Sequence, residues 1–221
     1  MGVGPPGPWR KGCAVRAADV RPYPDDVVVV ADADVIPVGI SSAVEAVAAT
    51  GPGWVPVTRW AMPFRIVRRL TREATELVTS GRLSLPSGPV PKTMVGLLEE
   101  TYVGSAGGGV VVLRGDVFTQ IPIDPRFAGY GQEDLSWSLA LHRLAGAPMM
   151  GFEPLWHLWH PPQERMRRGS TVSRGVGSEE NLRLWQRYRE ATTPTAMRSL
   201  VAEAEAEFAR LKGVGDHAGV D

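Results

Sequence analysis

The sequence predicts an α/β protein in which a parallel or mixed sheet packs between helices. Two runs and one recurrence predict it. Val27-Val28-Val29-Val30-Ala31 and Val110-Val111-Val112-Leu113 are wholly apolar. Neither can alternate a wet face with a dry one, so each reads as a strand buried on both sides. Around them apolar residues return at helical spacing, as at Leu135, Leu139 and Leu144.

Composition narrows the class. A chain of 221 residues suits one sizeable domain, or one with an appendage. Hydrophobic residues make up 43% and charged residues 22%, a globular rather than a disordered balance. Lys+Arg and Asp+Glu are equal at 24 each, so no global field draws nucleic acid or a membrane surface. The single cysteine, Cys13, excludes an intramolecular disulfide and a cysteine-rich zinc site. No apolar run approaches the roughly 20 residues of a membrane span, and no signal-peptide core opens the chain. The expectation is a cytoplasmic protein without a membrane span or a nucleic-acid partner.

Taken in order, residues 1–8 are a Gly/Pro loop, and Cys13–Val20 reads as a short helix. After the first strand Pro37 breaks the chain, and Ser41-Ser42 can cap a helix from about Ala43 to Ala49. Trp54–Arg59 reads as a strand. From Phe64 to Thr79, Ile66, Val67, Leu70, Ala74, Leu77 and Val78 recur as on one helix, with Arg65, Arg68, Arg69 and Arg72 on other faces. Leu83–Pro91 is a loop, and a short apolar segment spans Met94–Leu98. The second strand leads into a short helix opened by Arg114-Gly115-Asp116, and a helix runs from Glu133 to about Leu144. Pro148–Phe152 reads as a strand. Residues 163–177 form a basic mobile loop, and 178–221 a helical appendage with a frayed tail, its helices at 178–190 and 194–211.

Three stretches carry chemistry. Asp32 and Asp34 lie at the carboxyl end of the first strand, where open α/β sheets bind ligands. A hard divalent ion bridging to phosphate oxygens suits such a pair, although a strand turning into a loop also shows Asp-x-Asp. Gly129-Tyr130-Gly131-Gln132-Glu133-Asp134 sets two carboxylates at a helix N-terminus behind a glycine hinge and an aromatic face. Trp156-His157-Leu158-Trp159-His160-Pro161 places two of the four histidines three residues apart, as candidate metal ligands. Arg10, Lys11 and Arg16, and the arginines at 165, 167, 168 and 174, are either solvated faces or phosphate contacts. Gly107-Gly108-Gly109 lacks the spacing of a dinucleotide fingerprint and no Lys-Ser/Thr follows it, which rejects the Rossmann and P-loop readings.

Together these stretches resemble glycosyltransferases of the GT-A fold, of a family-2-like kind whose C-terminal half looks like the galactosyltransferase and polypeptide N-acetylgalactosaminyltransferase group. Val27–Asp34 with Val35-Ile36-Pro37 resembles the Asp-x-Asp strand and its exit. Trp9-Arg10-Lys11-Gly12 is similar to the Lys-Gly segment before it. Gly108 through Phe118, Ile123 through Phe127 and Gly129 through Asp134 resemble the run ending in Gly-Trp-Gly-Gly-Glu-Asp, with Tyr130 for the tryptophan and Gln132 for the second glycine. His157-x-x-His160 resembles the late histidine of the metal site. The likeness spans about residues 9–160, so 1–162 is expected to form the GT-A-like core. It implies that the early strands that cradle the base are missing or supplied by a second chain.

The resemblance implies transfer of a sugar from a nucleotide-diphosphate donor, such as a UDP-sugar, to an acceptor hydroxyl. Asp34, with His160, His157 and Asp32, would hold Mn2+ or Mg2+. Asp134 would act as general base, while Glu133 binds sugar hydroxyls. Asp32, Lys11, Gly108, Arg114, Tyr130 and Gly131 would contact substrate. Two other readings are a non-catalytic sugar- or nucleotide-binding module and a metal-dependent hydrolase.

Overall fold

In a computed structural model the protein is described over residues 9–51, 58–104, 106–129, 131–161 and 178–216. In chain order the elements are α1 (Lys11–Ala17), β1 (Val27–Ala31), β2 (Val35–Pro37), α2 (Ile40–Ala48), β3 (Trp60–Leu70), α3 (Arg72–Thr79), β4 (Leu98–Val103), β5 (Val110–Arg114), α4 (Gly115–Gln120), α5 (Glu133–Ala145), β6 (Met149–His157), α6 (Ser178–Glu190) and α7 (Pro194–Asp216), with a 3-10 helix at Lys92–Leu97 before β4. The fold class is the one expected, a mixed sheet with flanking helices. The expected loop at 1–8, most of the strand at 54–59, Tyr130 and the basic loop at 163–177 lie outside the described residues.

The chain divides into two compact units. One comprises Pro22–Phe118 and Ala145–Gln163; the other comprises Met1–Arg21, Thr119–Leu144 and Glu164–Asp221.

The first unit holds the six-stranded sheet, in the order β1-β5-β3-β6-β2, with β4 also pairing β3. Among the described residues only the β3–β6 pair is parallel. The two valine runs have different fates. β5 lies between β1 and β3 and is buried at every position, as its composition demands. β1 pairs with β5 alone among the described residues, and Val29 is 43% exposed. The expectation that Val27–Ala31 is buried on both sides is therefore corrected: it is an edge strand. Composition gives the β preference of a valine run but not the number of its neighbours.

The helix expected over Phe64–Thr79 is also corrected. Residues up to Leu70 belong to β3, and the helix α3 begins only at Arg72, capped by the Thr71 side chain, which accepts from Ala74 N–H at 3.2 Å. β3 is central and buries both faces, so Phe64, Val67 and Leu70 are all buried. Their spacing imitates a helical stripe because the buried residues fall on both faces of the strand, with exposed Arg65 among them. β4 was foreshadowed only by an apolar segment; four of its six residues are exposed, the pattern of a polar edge strand.

Apolar clusters support the sheet. Ala43 and Val47 of α2 pack with Ala61 and Val112, and Leu70, Ala74, Met94 and Trp156 form another. β3 and β6 close up through Gly151, where an added Cβ would stand 2.0 Å from the Pro63 carbonyl oxygen. The register shifts at this contact, between Met62 and Phe64, and again between Phe64 and Ile66, as strand prolines commonly require.

The second unit is helical. Tyr188 of α6 donates to buried Asp124 at 3.0 Å, and Arg126 ties Asp124 to Glu203 of α7. Asn181 of α6, 1% exposed, accepts from Ala128 N–H and donates to the carbonyls of Ala128 and Gly131. This clamp fixes the segment that leads into α5.

Candidate metal centre

In the sheet unit, the chain leaves β1 through Asp32-Ala33-Asp34 and returns as β2. Val35 of β2 stands opposite His157 at the end of β6, and Leu158 N–H donates to the Asp34 carbonyl at 2.8 Å. This backbone pairing carries the Asp34 side chain to the two histidines. Asp34 Oδ2 lies 3.7 Å from His157 Nε2 and 3.4 Å from His160 Nε2. One ligand atom from each of the three residues lies within 4.8 Å of the others. Donor atoms about 2.0–2.2 Å from a common ion stand about 3–3.5 Å apart, so these separations suit a shared cation.

The ring geometry points the same way. His157 Nδ1 sits 2.7 Å from the Leu158 carbonyl, and His160 Nδ1 sits 3.0 Å from that of Pro161. A carbonyl only accepts, so each Nδ1 carries a proton, and each Nε2 is the atom turned toward Asp34. That second bond is the usual partner of a metal-bound histidine. Burial holds the His157 imidazole below its usual range, against the Leu158 carbonyl and Asp34, which favour the cation. A neutral ring can ligate. Two imidazoles and one carboxylate suit Mn2+ or Zn2+ better than Mg2+, which prefers oxygen and water.

Other expected residues of this unit are placed differently. Asp32 N–H donates to the Gly109 carbonyl at 2.8 Å, and its Oδ2 accepts from Gly109 N–H at 3.0 Å. Asp32 thus locks the start of β5, beside buried Gly108. The three-residue cluster contains Asp34 but not Asp32. Arg114 is at the other end of the β1–β5 pair, opposite Val27, where it pairs with Asp25 and lies 3.6 Å from Asp116. The structure does not bring Arg114 to Asp34.

Arg69 and Tyr102 were missed. Arg69 faces His157 across the parallel β3–β6 pair, and Tyr102 of β4 stands opposite Val67, two residues earlier on β3. Alternation along β3 puts both on the face that carries His157. The phenol is pushed up by burial, opposed by the adjacent Arg69 and reinforced by Glu100 and then Asp34. A strand reading of 60–70 would have put Arg69 and Val67 on one face; the pairing with His157 has no sequence signal.

The helical unit gathers a second set. Lys11 Nζ donates to Asp134 Oδ1 at 2.8 Å. Glu133, buried in the first turn of α5, accepts from Gly131 N–H at 2.9 Å. Burial raises its carboxyl above the usual range, reinforced by Asp134, while Lys11 and the Gly131 N–H oppose the shift. Gln132, standing where the resembled motif has glycine, is held at φ 74°, and its buried Oε1 has no hydrogen-bond partner among the described residues. Asn181 was the residue missed here, since a lone asparagine in an amphipathic helix gives no signal.

No family model, no curated protein and no solved structure matches the chain. What stands is a mixed α/β protein with a candidate three-residue metal centre.

Proposed function

We propose that the protein is a metal-dependent glycosyltransferase that moves a sugar from a nucleotide-diphosphate donor, a UDP-sugar, to an acceptor hydroxyl. One observation carries this reading: Asp34, from the Asp-x-Asp exit, meets His157 and His160, the late histidines of the resembled motif. These three residues hold Mn2+, with Mg2+ as the weaker fit. When bound, the ion neutralises charge that develops on the departing diphosphate. Asp134 would take the acceptor proton, its carboxylate oriented by Lys11. Glu133 binds sugar hydroxyls from its buried position. The reading places the activity in the cytoplasm, on the composition given above.

Calorimetric titration with UDP, first with Mn2+ and then with EDTA, tests the reading. Binding that needs the metal and vanishes in Asp34→Ala is expected. A folded sample that binds UDP in neither condition would sink it. Asp134→Asn is expected to spare donor binding and remove transfer.

The two-imidazole donor set also favours a second reading, a hydrolase whose ion activates water. Release of free sugar or phosphate at an unchanged rate whether or not any acceptor is supplied would select it.

A further inference from the structure

The candidate centre is short of negative charge. A divalent ion on Asp34, His157 and His160 brings two positive charges, and Asp34 is the only anionic ligand of the three. Arg69 adds a third positive charge directly opposite His157. No carboxylate among the described residues lies within 4 Å of Arg69, and its Nε is shielded from water without a hydrogen-bond acceptor. Glu100 is its cross-strand neighbour on β4 but is exposed to solvent and forms no ion pair with it. A half-buried guanidinium beside a bound metal is costly unless an anion pairs with both.

We propose that Arg69, braced by Tyr102, is the second jaw of an anion clamp at this centre, and that the ligand it takes is a diphosphate held between the metal ion and the guanidinium. The proposal rests on the metal reading of Asp34, His157 and His160. Charge selects the ligand class: the ion, Asp34 and Arg69 sum to two positive charges, which a diphosphate balances and a neutral sugar does not. Shape selects it further, because the planar fork of arginine matches two oxygens of one phosphoryl group. Tyr102 shares the face with Arg69, and its phenol is in contact with the guanidinium. The arginine that serves the anion is thus on β3, in a stretch whose sequence pattern suggests a solvated helix face, and not Arg114, which pairs with Asp25 at the far end of its strand.

The test separates the two layers. Metal binding is measured first, with Co2+ followed by its absorption spectrum and Mn2+ by calorimetry, on the intact chain and on Arg69→Ala, Arg69→Lys and Asp34→Ala. Inorganic pyrophosphate is then titrated with Mn2+ in excess. Arg69→Ala is expected to bind metal at least as tightly as the parent, since a repelling charge has gone, yet to lose about tenfold or more in pyrophosphate affinity. Arg69→Lys keeps the charge but not the fork and is expected to fall between them. Tyr102→Phe is expected to weaken pyrophosphate by about two- to fivefold through loss of the hydroxyl contact. Unchanged pyrophosphate affinity in a folded, metal-loaded Arg69→Ala overturns the clamp while leaving the metal centre standing. Absence of metal binding by the parent chain overturns the centre, and the clamp with it.

Discussion

Lys11 Nζ lies 2.8 Å from Asp134 Oδ1, with the lysine side chain 9% exposed and the carboxylate 27% exposed. The lysine expected at the donor diphosphate is therefore spent on the carboxylate read as the base. Lys11→Met is expected to cost about 1–3 kcal/mol of stability, since it leaves a half-buried carboxylate without its cation. A cycle with Asp134→Asn, read by urea unfolding, is expected to give a coupling of about 1 kcal/mol or more. Additive losses would show that the pair carries no net energy.

Glu133 makes stability depend on acidity with a known sign. Its folded carboxyl titrates above the ordinary range because it is buried. The stability tied to its protonated form is full below the unfolded value of about 4.3 and is lost as pH rises through the folded value. Glu133→Gln removes that loss. Between pH 4 and pH 7 the parent chain is expected to lose more stability than Glu133→Gln, measured as the shift in urea midpoint. A parallel pH dependence would refute the burial argument.

Gln132 is strained twice, by a left-handed backbone at φ 74° and by a buried amide oxygen without a donor among the described residues. Gln132→Gly is expected to gain about 1 kcal/mol in chemical denaturation, and Gln132→Val to lose about 1–2 kcal/mol. A loss in the glycine variant would show that the amide has a stabilising contact.

Gly151 lets two strands touch. A Cβ there would meet backbone, the Pro63 carbonyl oxygen at 2.0 Å, which cannot swing aside. Gly151→Ala is expected to cost about 2–4 kcal/mol, against less than about 0.5 kcal/mol for Gly88→Ala, which has open space around it. Thermal unfolding of the two variants side by side checks the contrast.

What the sequence made legible was local. The bounds of β1, β5 and α5 follow from valine runs and leucine spacing, and the ligand types Asp34, His157 and His160 from their chemistry. Pairing was not legible. Whether Val27–Ala31 lay at the centre or the edge depended on partners some 80 residues away. Phe64–Leu70 was misread because a strand buried on both faces leaves no period. Arg69 was hidden inside that misreading, and its alignment with His157 is a property of sheet register alone.

β2 spans only Val35–Pro37, yet it joins Asp34 to the far end of β6. A cation held there is a reversible cross-link that closes the long stretch of chain between positions 34 and 157. By mass action an ion at 100 times its dissociation constant adds about 2.7 kcal/mol to the folded state. The melting temperature should then climb with metal concentration and fall on chelation, so the same three side chains that hold a ligand would also act as a removable fastener of the sheet.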